Sequence, residues 1–89
     1  MNEPRKRSLL ARMRRIEGQV CGVSRMIDED RYCVDVITQL QAIRAALKRV
    51  EEAVLKDHVA HCVEHAIATG DRDDQRRKVQ ELLGIIERL

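Results

Sequence analysis

Residues 32–70 read YCVDVITQLQAIRAALKRVEEAVLKDHVAHCVEHAIATG, and this stretch decides the fold. It contains no proline, and its only glycine is the final residue. Apolar residues recur every three or four positions along it, which is the spacing of one face of an α-helix. The pattern predicts a single long helix from about Tyr32 to Ala68, with Gly70 as its C-terminal cap.

A helix of that length does not fit inside a compact monomer of 89 residues. Such a monomer would have a radius of gyration of about 12 Å, whereas the helix would be about 55 Å long. The core must be aliphatic, because the chain has no Phe or Trp and a single Tyr. We therefore expect an all-α protein whose long helix is covered by other copies of the chain.

Two shorter helices complete the predicted protomer. The first runs from about Arg5 to Met26 and has an apolar row at Leu9, Met13, Ile16, Val20, Val23 and Ile27. The third runs from about Asp74 to Arg88 and has apolar residues at Val79, Leu82, Leu83 and Ile86. The expected architecture is a three-helix protomer with residues 1–89 as one domain, which assembles into a bundle.

Two local features of the sequence carry further expectations. Gly18 and Gly22 weaken the first helix, and we expect that another helix approaches it closely there. The acidic segment 28–30 interrupts the apolar period and is expected to supply the N-cap of the long helix.

The long helix carries two cysteines and a histidine that point to a metal site. His58 and Cys62 are one helical turn apart, and Cys33 falls within the same arc of about 40°. Cys33 nevertheless lies about 37 Å from His58 along the axis, too far to share a site. The three can meet only if Cys33 comes from an antiparallel copy of the chain, so the sequence predicts an intersubunit site.

Two thiolates and one imidazole form a soft set of three ligands. Such a set favours Cu(I), whereas zinc normally takes four ligands. His65 follows Cys62 by three positions and is a candidate fourth ligand, which keeps Zn(II), Ni(II) and Co(II) open. His61 is interpreted as a solvent-exposed residue on the flank of the helix, and Cys21 has no obvious partner.

The net charge is only +2, but basic residues are concentrated in two places. They lie near the N-terminus and within the long helix, at Arg12, Arg14, Arg15, Arg44, Lys48 and Arg49. Stacking on single-stranded nucleic acid is essentially excluded by the near absence of aromatic residues. The clusters favour contact with the phosphates of double-stranded DNA, with DNA shape contributing to specificity.

Other classes of protein are disfavoured by composition. No apolar run approaches the roughly 20 residues of a membrane span, and no signal peptide precedes the first helix. Three cysteines without a secretory signal indicate free thiols and a cytoplasmic location. An enzyme is disfavoured because the chain lacks a glycine-rich turn for an oxyanion hole and leaves little chain to build a substrate pocket.

Two stretches of the chain match a known family, namely residues 14–49, RRIEGQVCGVSRMIDEDRYCVDVITQLQAIRAALKR, and residues 54–62, VLKDHVAHC. Through them the sequence resembles the CsoR/RcnR/FrmR family of metal-responsive transcriptional repressors. The resemblance implies a homotetramer, built as a dimer of antiparallel dimers, that binds operator DNA without a helix-turn-helix. It also implies that the DNA is released when an effector binds.

The resemblance also assigns roles to individual residues. In the copper-sensing branch of the family, the metal ligands match Cys33 of one protomer and His58 and Cys62 of the other. Tyr32 and Glu81 look similar to the pair that stands beside the ligand histidine in that branch. Among the basic residues, Arg12 and Arg49 match positions associated with DNA binding.

Departures from the other branches favour copper. Nickel and cobalt sensors carry an N-terminal His and a His in place of Cys62, formaldehyde sensors carry Pro where this chain has Asn2, and persulfide sensors lack the histidine at position 58. We therefore expect a repressor that binds DNA in the metal-free state and releases it on binding Cu(I). Two alternatives remain, namely a related repressor that senses nickel, cobalt, zinc, formaldehyde or persulfide, and a structural metal-binding bundle without a DNA role.

Overall fold

The computed structural model describes residues 1–89, which form three α-helices and no strand. Helix α1 spans Glu3–Asp28, α2 spans Cys33–Thr69 and α3 spans Arg72–Arg88. The prediction of an all-α chain with a long second helix is confirmed. None of the helices contains an apolar stretch long enough to cross a membrane. The chain forms two compact units, Met1–Val54 and Leu55–Leu89, and α2 continues from the first into the second.

Helix α1 ends in a tight turn that separates it from α2. The backbone N–H of Arg31 donates to the carbonyl of Met26 over 2.9 Å. Asp30 adopts a φ of 54°, in the left-handed region that Asp tolerates better than most residues. The acidic segment therefore closes the end of α1.

The prediction that residues 28–30 cap α2 is wrong. Asp28 is the last residue of α1, and α2 begins only at Cys33. The carbonyl of Tyr32 accepts the backbone N–H groups of Asp35 and Val36, at 3.0 and 3.2 Å. Tyr32 thus occupies the N-cap position, because the turn after α1 uses the acidic residues before α2 can start.

In the first unit, α1 packs on α2 through a small aliphatic core. Ile16, Val23 and Ile43 are buried. Four partly buried residues pack around them: Met13, Val36, Ala46 and Val50. The remaining apolar positions of the same two helices are exposed, among them Val20, Ile27, Leu40, Leu47 and Val54. Each apolar row thus divides, with some residues packed inside the chain and the others facing outward.

The close helix approach expected at Gly18 and Gly22 is not present within the chain. A Cβ atom added at either position would meet no atom within 4 Å outside its own helix. The prediction is wrong for the single chain, because the α1–α2 contact runs through Ile16 and Val23 instead.

In the second unit, a sharp corner joins the end of α2 to α3. Gly70 has a φ of 64°, and its N–H donates to the carbonyl of Ala66, so the predicted C-terminal cap is confirmed. The side chain of Gln75 donates to the same carbonyl over 3.0 Å. Asp71 caps α3 by accepting the N–H groups of residues 73 and 74. This cap is why α3 begins at Arg72, two residues before its predicted start.

The face that α3 turns toward α2 is more polar than its sequence predicts. Of the predicted apolar row, only Leu82 is half-buried. Val79, Leu83 and Ile86 remain exposed. The other half-buried positions of α3 are Asp74, Gln75, Lys78 and Ile85. Contacts join Ala66 to Gln75 and His58 to Glu81, so the two helices run antiparallel in this unit.

The cap of α3 gives a direct test of the corner. Asp71→Ala removes the side-chain acceptor of two backbone N–H groups and should lower the free energy of unfolding by about 1 kcal/mol. Asp71→Asn keeps a side-chain oxygen of the same shape as acceptor, so it should lower the free energy of unfolding much less. Urea unfolding of both variants at one protein concentration measures the difference, and equal losses would show that the cap does not stabilise α3.

Candidate metal centre

His58 and Cys62 form a closely spaced pair of metal-ligating side chains on α2. The Sγ atom of Cys62 lies 3.4 Å from Nε2 of His58, and Cys62 is only 7% exposed. Two ligands with metal–sulfur and metal–nitrogen bonds of the lengths seen at zinc would be about 3.6 Å apart. The pair therefore has the separation of two ligands of one metal ion, as the spacing in the sequence predicts.

The chain does not place a third ligand beside this pair. No group of three His, Cys, Asp or Glu side chains among its 89 residues is arranged to hold a metal ion. Cys33 is the first residue of α2, belongs to the first unit and is exposed. Its thiol is therefore accessible to another molecule.

The two predicted neighbours of His58 have different environments. Glu81 on α3 lies beside His58, with its Oε1 atom 3.7 Å from Nε2. That distance is longer than a hydrogen bond, and it involves the same nitrogen that faces Cys62. Tyr32 precedes α2 in the first unit and is exposed. The structure thus brings Glu81 to the histidine of the same chain, whereas the role of Tyr32 stays a prediction.

The remaining histidines are each paired with an aspartate. His61 is 59% exposed, and its Nε2 lies 3.6 Å from Oδ2 of Asp57, one turn earlier on α2. His65 is 60% exposed, and its Nε2 lies 3.6 Å from Oδ2 of Asp74 on α3. The prediction that His61 is solvent-exposed is confirmed. His65 is directed toward Asp74, and its role as a fourth ligand beside Cys62 stays a prediction.

A shallow cavity connects these groups. It measures about 370 Å³, and its lining residues are His58, His61, Cys62, His65 and Lys78. The aspartates that accompany the histidines were not identified from the sequence. The Asp57–His61 pair was visible there as an i, i+4 spacing, whereas the Asp74–His65 pair depends on the packing of α3 against α2.

The predicted basic residues come together only in part. A second cavity, of about 330 Å³, is lined by Arg12 and Arg15 of α1 and by Arg49 of α2. These three side chains, which we call the basic notch, surround Ile16, Gln19 and Ala46. Arg14, Arg44 and Lys48 are exposed and lie outside the notch. The α1–α2 packing thus concentrates positive charge from two helices at one place.

A family model described as "Metal-sensitive transcriptional repressor" matches residues 5–88, nearly the whole chain. The chain belongs to this family. The metal-sensitive repressors include a copper-sensing transcriptional repressor, CsoR of Bacillus subtilis, which is 42% identical over 83 residues, covering 93% of this chain and 79% of the relative. The copper-sensing repressor RicR of Mycobacterium tuberculosis is 52% identical over 59 residues, which is 66% of this chain and 62% of RicR.

Solved structures of metal-sensitive repressors have the same fold. The crystal structure of the copper-sensing repressor CsoR with Cu(I) from Geobacillus thermodenitrificans superposes with a TM-score of 0.87 at 36% identity, covering 99% of this chain and 88% of that one. The nickel-responsive regulator InrS superposes with a TM-score of 0.79, also at 36% identity, covering 92% of this chain and 89% of InrS. The predicted family is therefore confirmed.

Proposed function

We propose that the chain is a Cu(I)-responsive transcriptional repressor whose residues 1–89 act as one metal-sensing, DNA-binding domain. The observation that carries the proposal is the contact between the buried Cys62 thiol and His58, 3.4 Å apart on α2. It lies in a chain that belongs to the metal-sensitive repressors over residues 5–88. The function is therefore regulatory, and no catalytic residue is assigned.

The third metal ligand is proposed to be Cys33 of an antiparallel partner protomer. His58 and Cys62 supply two donors of one site, and the chain itself places no third donor there. Cys33 is exposed, as a ligand offered to a partner must be. Bound Cu(I) would supply a soft cation that joins two protomers through two thiolates and an imidazole.

Copper is favoured over other effectors by the ligands and by the relatives. Two thiolates and one imidazole suit Cu(I) better than they suit zinc. The CsoR and RicR relatives are named copper-sensing, and one CsoR structure contains Cu(I). Nickel is the second candidate, because the chain also superposes on a nickel-responsive regulator. Cobalt and zinc follow as further alternatives.

The proposed assembly is a homotetramer, built from two antiparallel dimers. The apolar residues that α1 and α2 leave exposed support it, since a soluble monomer gains nothing from presenting such rows to water. They include Val20 and Ile27 on α1 and Leu40, Leu47 and Val54 on α2. An antiparallel partner laid along α2 would bury part of this surface and bring its own Cys33 toward His58 and Cys62.

The proposed partner of the metal-free tetramer is double-stranded operator DNA in the cytoplasm. The basic notch presents Arg12, Arg15 and Arg49 together, and Arg14, Arg44 and Lys48 extend the positive surface. Guanidinium groups bind phosphate oxygens through charge-assisted hydrogen bonds, and this contact needs no recognition helix. Repetition of the notch in a tetramer would extend the contact along the duplex.

Glu81 is proposed to link the metal site to the rest of the protein. In the structure, Nε2 of His58 faces both Cys62 and Glu81. A nitrogen that ligates a metal cannot also donate a proton to a carboxylate, so ligation through Nε2 ends its interaction with Glu81. Ligation through Nδ1 instead leaves Nε2–H free to bind Glu81. Either outcome changes how α3 is held, and Tyr32 of a neighbouring protomer is a second possible partner.

Mixed dimers test the proposed intersubunit site. A dimer of one Cys33→Ala chain and one Cys62→Ala chain should bind one Cu(I) tightly, because one of its two sites keeps all three ligands. Differentially tagged chains allow the mixed dimer to be purified and titrated in competition with a Cu(I) chelator. Wild type should bind two ions per dimer and each homodimeric variant none with high affinity. Complete loss of tight binding in the mixed dimer would assign both cysteines to one chain.

The basic notch should control DNA affinity without controlling copper affinity. Arg12→Ala and Arg49→Ala should each weaken binding of the metal-free protein to operator DNA. The negative slope of the logarithm of the DNA-binding constant against the logarithm of salt concentration should become shallower. The change should be about 0.9 for each lost phosphate contact. Arg88→Ala, at the end of α3, is the control and should keep the wild-type slope. Fluorescence anisotropy at several salt concentrations gives the slopes, and unchanged values for both notch variants would remove the notch from the interface.

Glu81 should affect the coupling between Cu(I) binding and DNA binding more than it affects the affinity for Cu(I). Glu81→Ala leaves the three ligands intact, so Cu(I) affinity should stay close to that of wild type. The ratio of DNA affinities without and with Cu(I) should fall at least about tenfold, equivalent to roughly 1.4 kcal/mol of coupling free energy. Glu87→Ala, an exposed glutamate of the same helix, is the control. Full release of DNA by Glu81→Ala would show that the switch does not depend on this residue.

A further inference from the structure

His61 and His65 form a second pair of potential metal ligands on α2, outside the proposed copper site. They are four residues apart, so both imidazoles project from one face of the helix on successive turns. Helical zinc sites use this spacing, with two histidines at positions i and i+4 and a third ligand from elsewhere. Both side chains are about 60% exposed and line the same cavity of about 370 Å³.

Asp74 places a carboxylate oxygen beside His65, one member of this pair. Its Oδ2 atom is fully shielded from solvent and has no hydrogen-bond partner, although it lies 3.6 Å from Nε2 of His65. Its other oxygen is 3.9 Å from Arg77, which is a long ion pair. Burying a carboxylate oxygen without a hydrogen-bond donor costs free energy of folding. A cation bound beside the oxygen would offset that cost.

The separation of His65 and Asp74 suits two ligands of one ion. It is slightly too long for a hydrogen bond between nitrogen and oxygen. Nitrogen and oxygen ligands of a tetrahedral zinc ion, with bonds of about 2.0–2.1 Å, are roughly 3.3 Å apart. A shift of a few tenths of an ångström would therefore bring both atoms to ligand positions.

We propose that His61, His65 and Asp74 bind a divalent cation of the zinc class, at a site separate from the one proposed for Cu(I). The structure does not hold the three donors together as a ligand set, because His61 faces Asp57. His61 is exposed and has to turn away from Asp57 to join the other two. The site takes its ligands from both α2 and α3. A bound ion would therefore cross-link the start of α3 to the end of α2.

The ligand set distinguishes this site chemically from the copper site. Two imidazoles and a carboxylate suit Zn(II) or Ni(II), whereas Cu(I) prefers the thiolates of Cys33 and Cys62. Lys78 lines the same cavity, and its positive charge opposes cation binding. Replacing Lys78 with Gln should therefore tighten the site, a change that no ligand substitution would produce.

The experiment is a Zn(II) titration of the full-length Cys33→Ser/Cys62→Ser protein, in competition with a chromophoric chelator. This background removes both thiolates of the copper site and should still bind one Zn(II) per protomer. Adding His61→Gln or His65→Gln should weaken binding at least tenfold, and adding Asp74→Asn should weaken it several-fold. Asp73→Asn, which changes the neighbouring exposed aspartate, is the matched control and should have little effect.

A second readout separates loss of a ligand from loss of structure. Zn(II) should raise the melting temperature of the background protein, and His65→Gln should abolish that rise while keeping the helical circular dichroism signal. The proposal is overturned if the background protein binds no Zn(II), or if the histidine variants bind it as tightly as the background. Equal weakening by Asp73→Asn and Asp74→Asn would also overturn it, since only general negative charge would then be involved.

Discussion

His58 and Cys62 can share a metal ion because they stand one turn apart on α2, but a helix cannot bend back to offer Cys33 to the same ion. In the proposed site, this constraint of helical geometry gives each chain two ligands of one site and one ligand of another. A complete site of that kind requires two chains in antiparallel orientation, and sensing and assembly would then use the same surface of α2.

The packing within the chain is consistent with that requirement. The buried core between α1 and α2 is small, with Ile16, Val23 and Ile43 as its buried residues, and several apolar residues of both helices face outward. In the proposed tetramer those residues become the interface. The same α1–α2 packing assembles the basic notch, so the proposed DNA contacts and the proposed subunit contacts would depend on the same pair of helices. A ligand that alters how protomers meet can therefore alter how the notches are spaced.

Much of this could be predicted from the sequence, because the decisive signals are local. The absence of glycine and proline before Gly70 predicted α2, and the i, i+4 spacing predicted that Cys62 lies against His58. Features that depend on turns or on helix–helix register were harder to predict. The acidic residues before α2 close α1 instead of capping α2. They do so because Asp30 adopts a left-handed backbone conformation, which the local sequence does not predict. The contact between His65 and Asp74 follows from the register of α3 on α2, which no spacing within one helix encodes.

In the proposed mechanism, Cu(I) bound through Cys33, His58 and Cys62 lowers the affinity of the protein for DNA. Fluorescence anisotropy tests this with a duplex selected for binding to the metal-free protein, during separate titrations with Cu(I), Ni(II) and Zn(II). DNA should be released at one Cu(I) per protomer, and Ni(II) and Zn(II) should leave most of it bound. DNA that stays bound at saturating Cu(I), or that Ni(II) or Zn(II) releases at that stoichiometry, would contradict the mechanism.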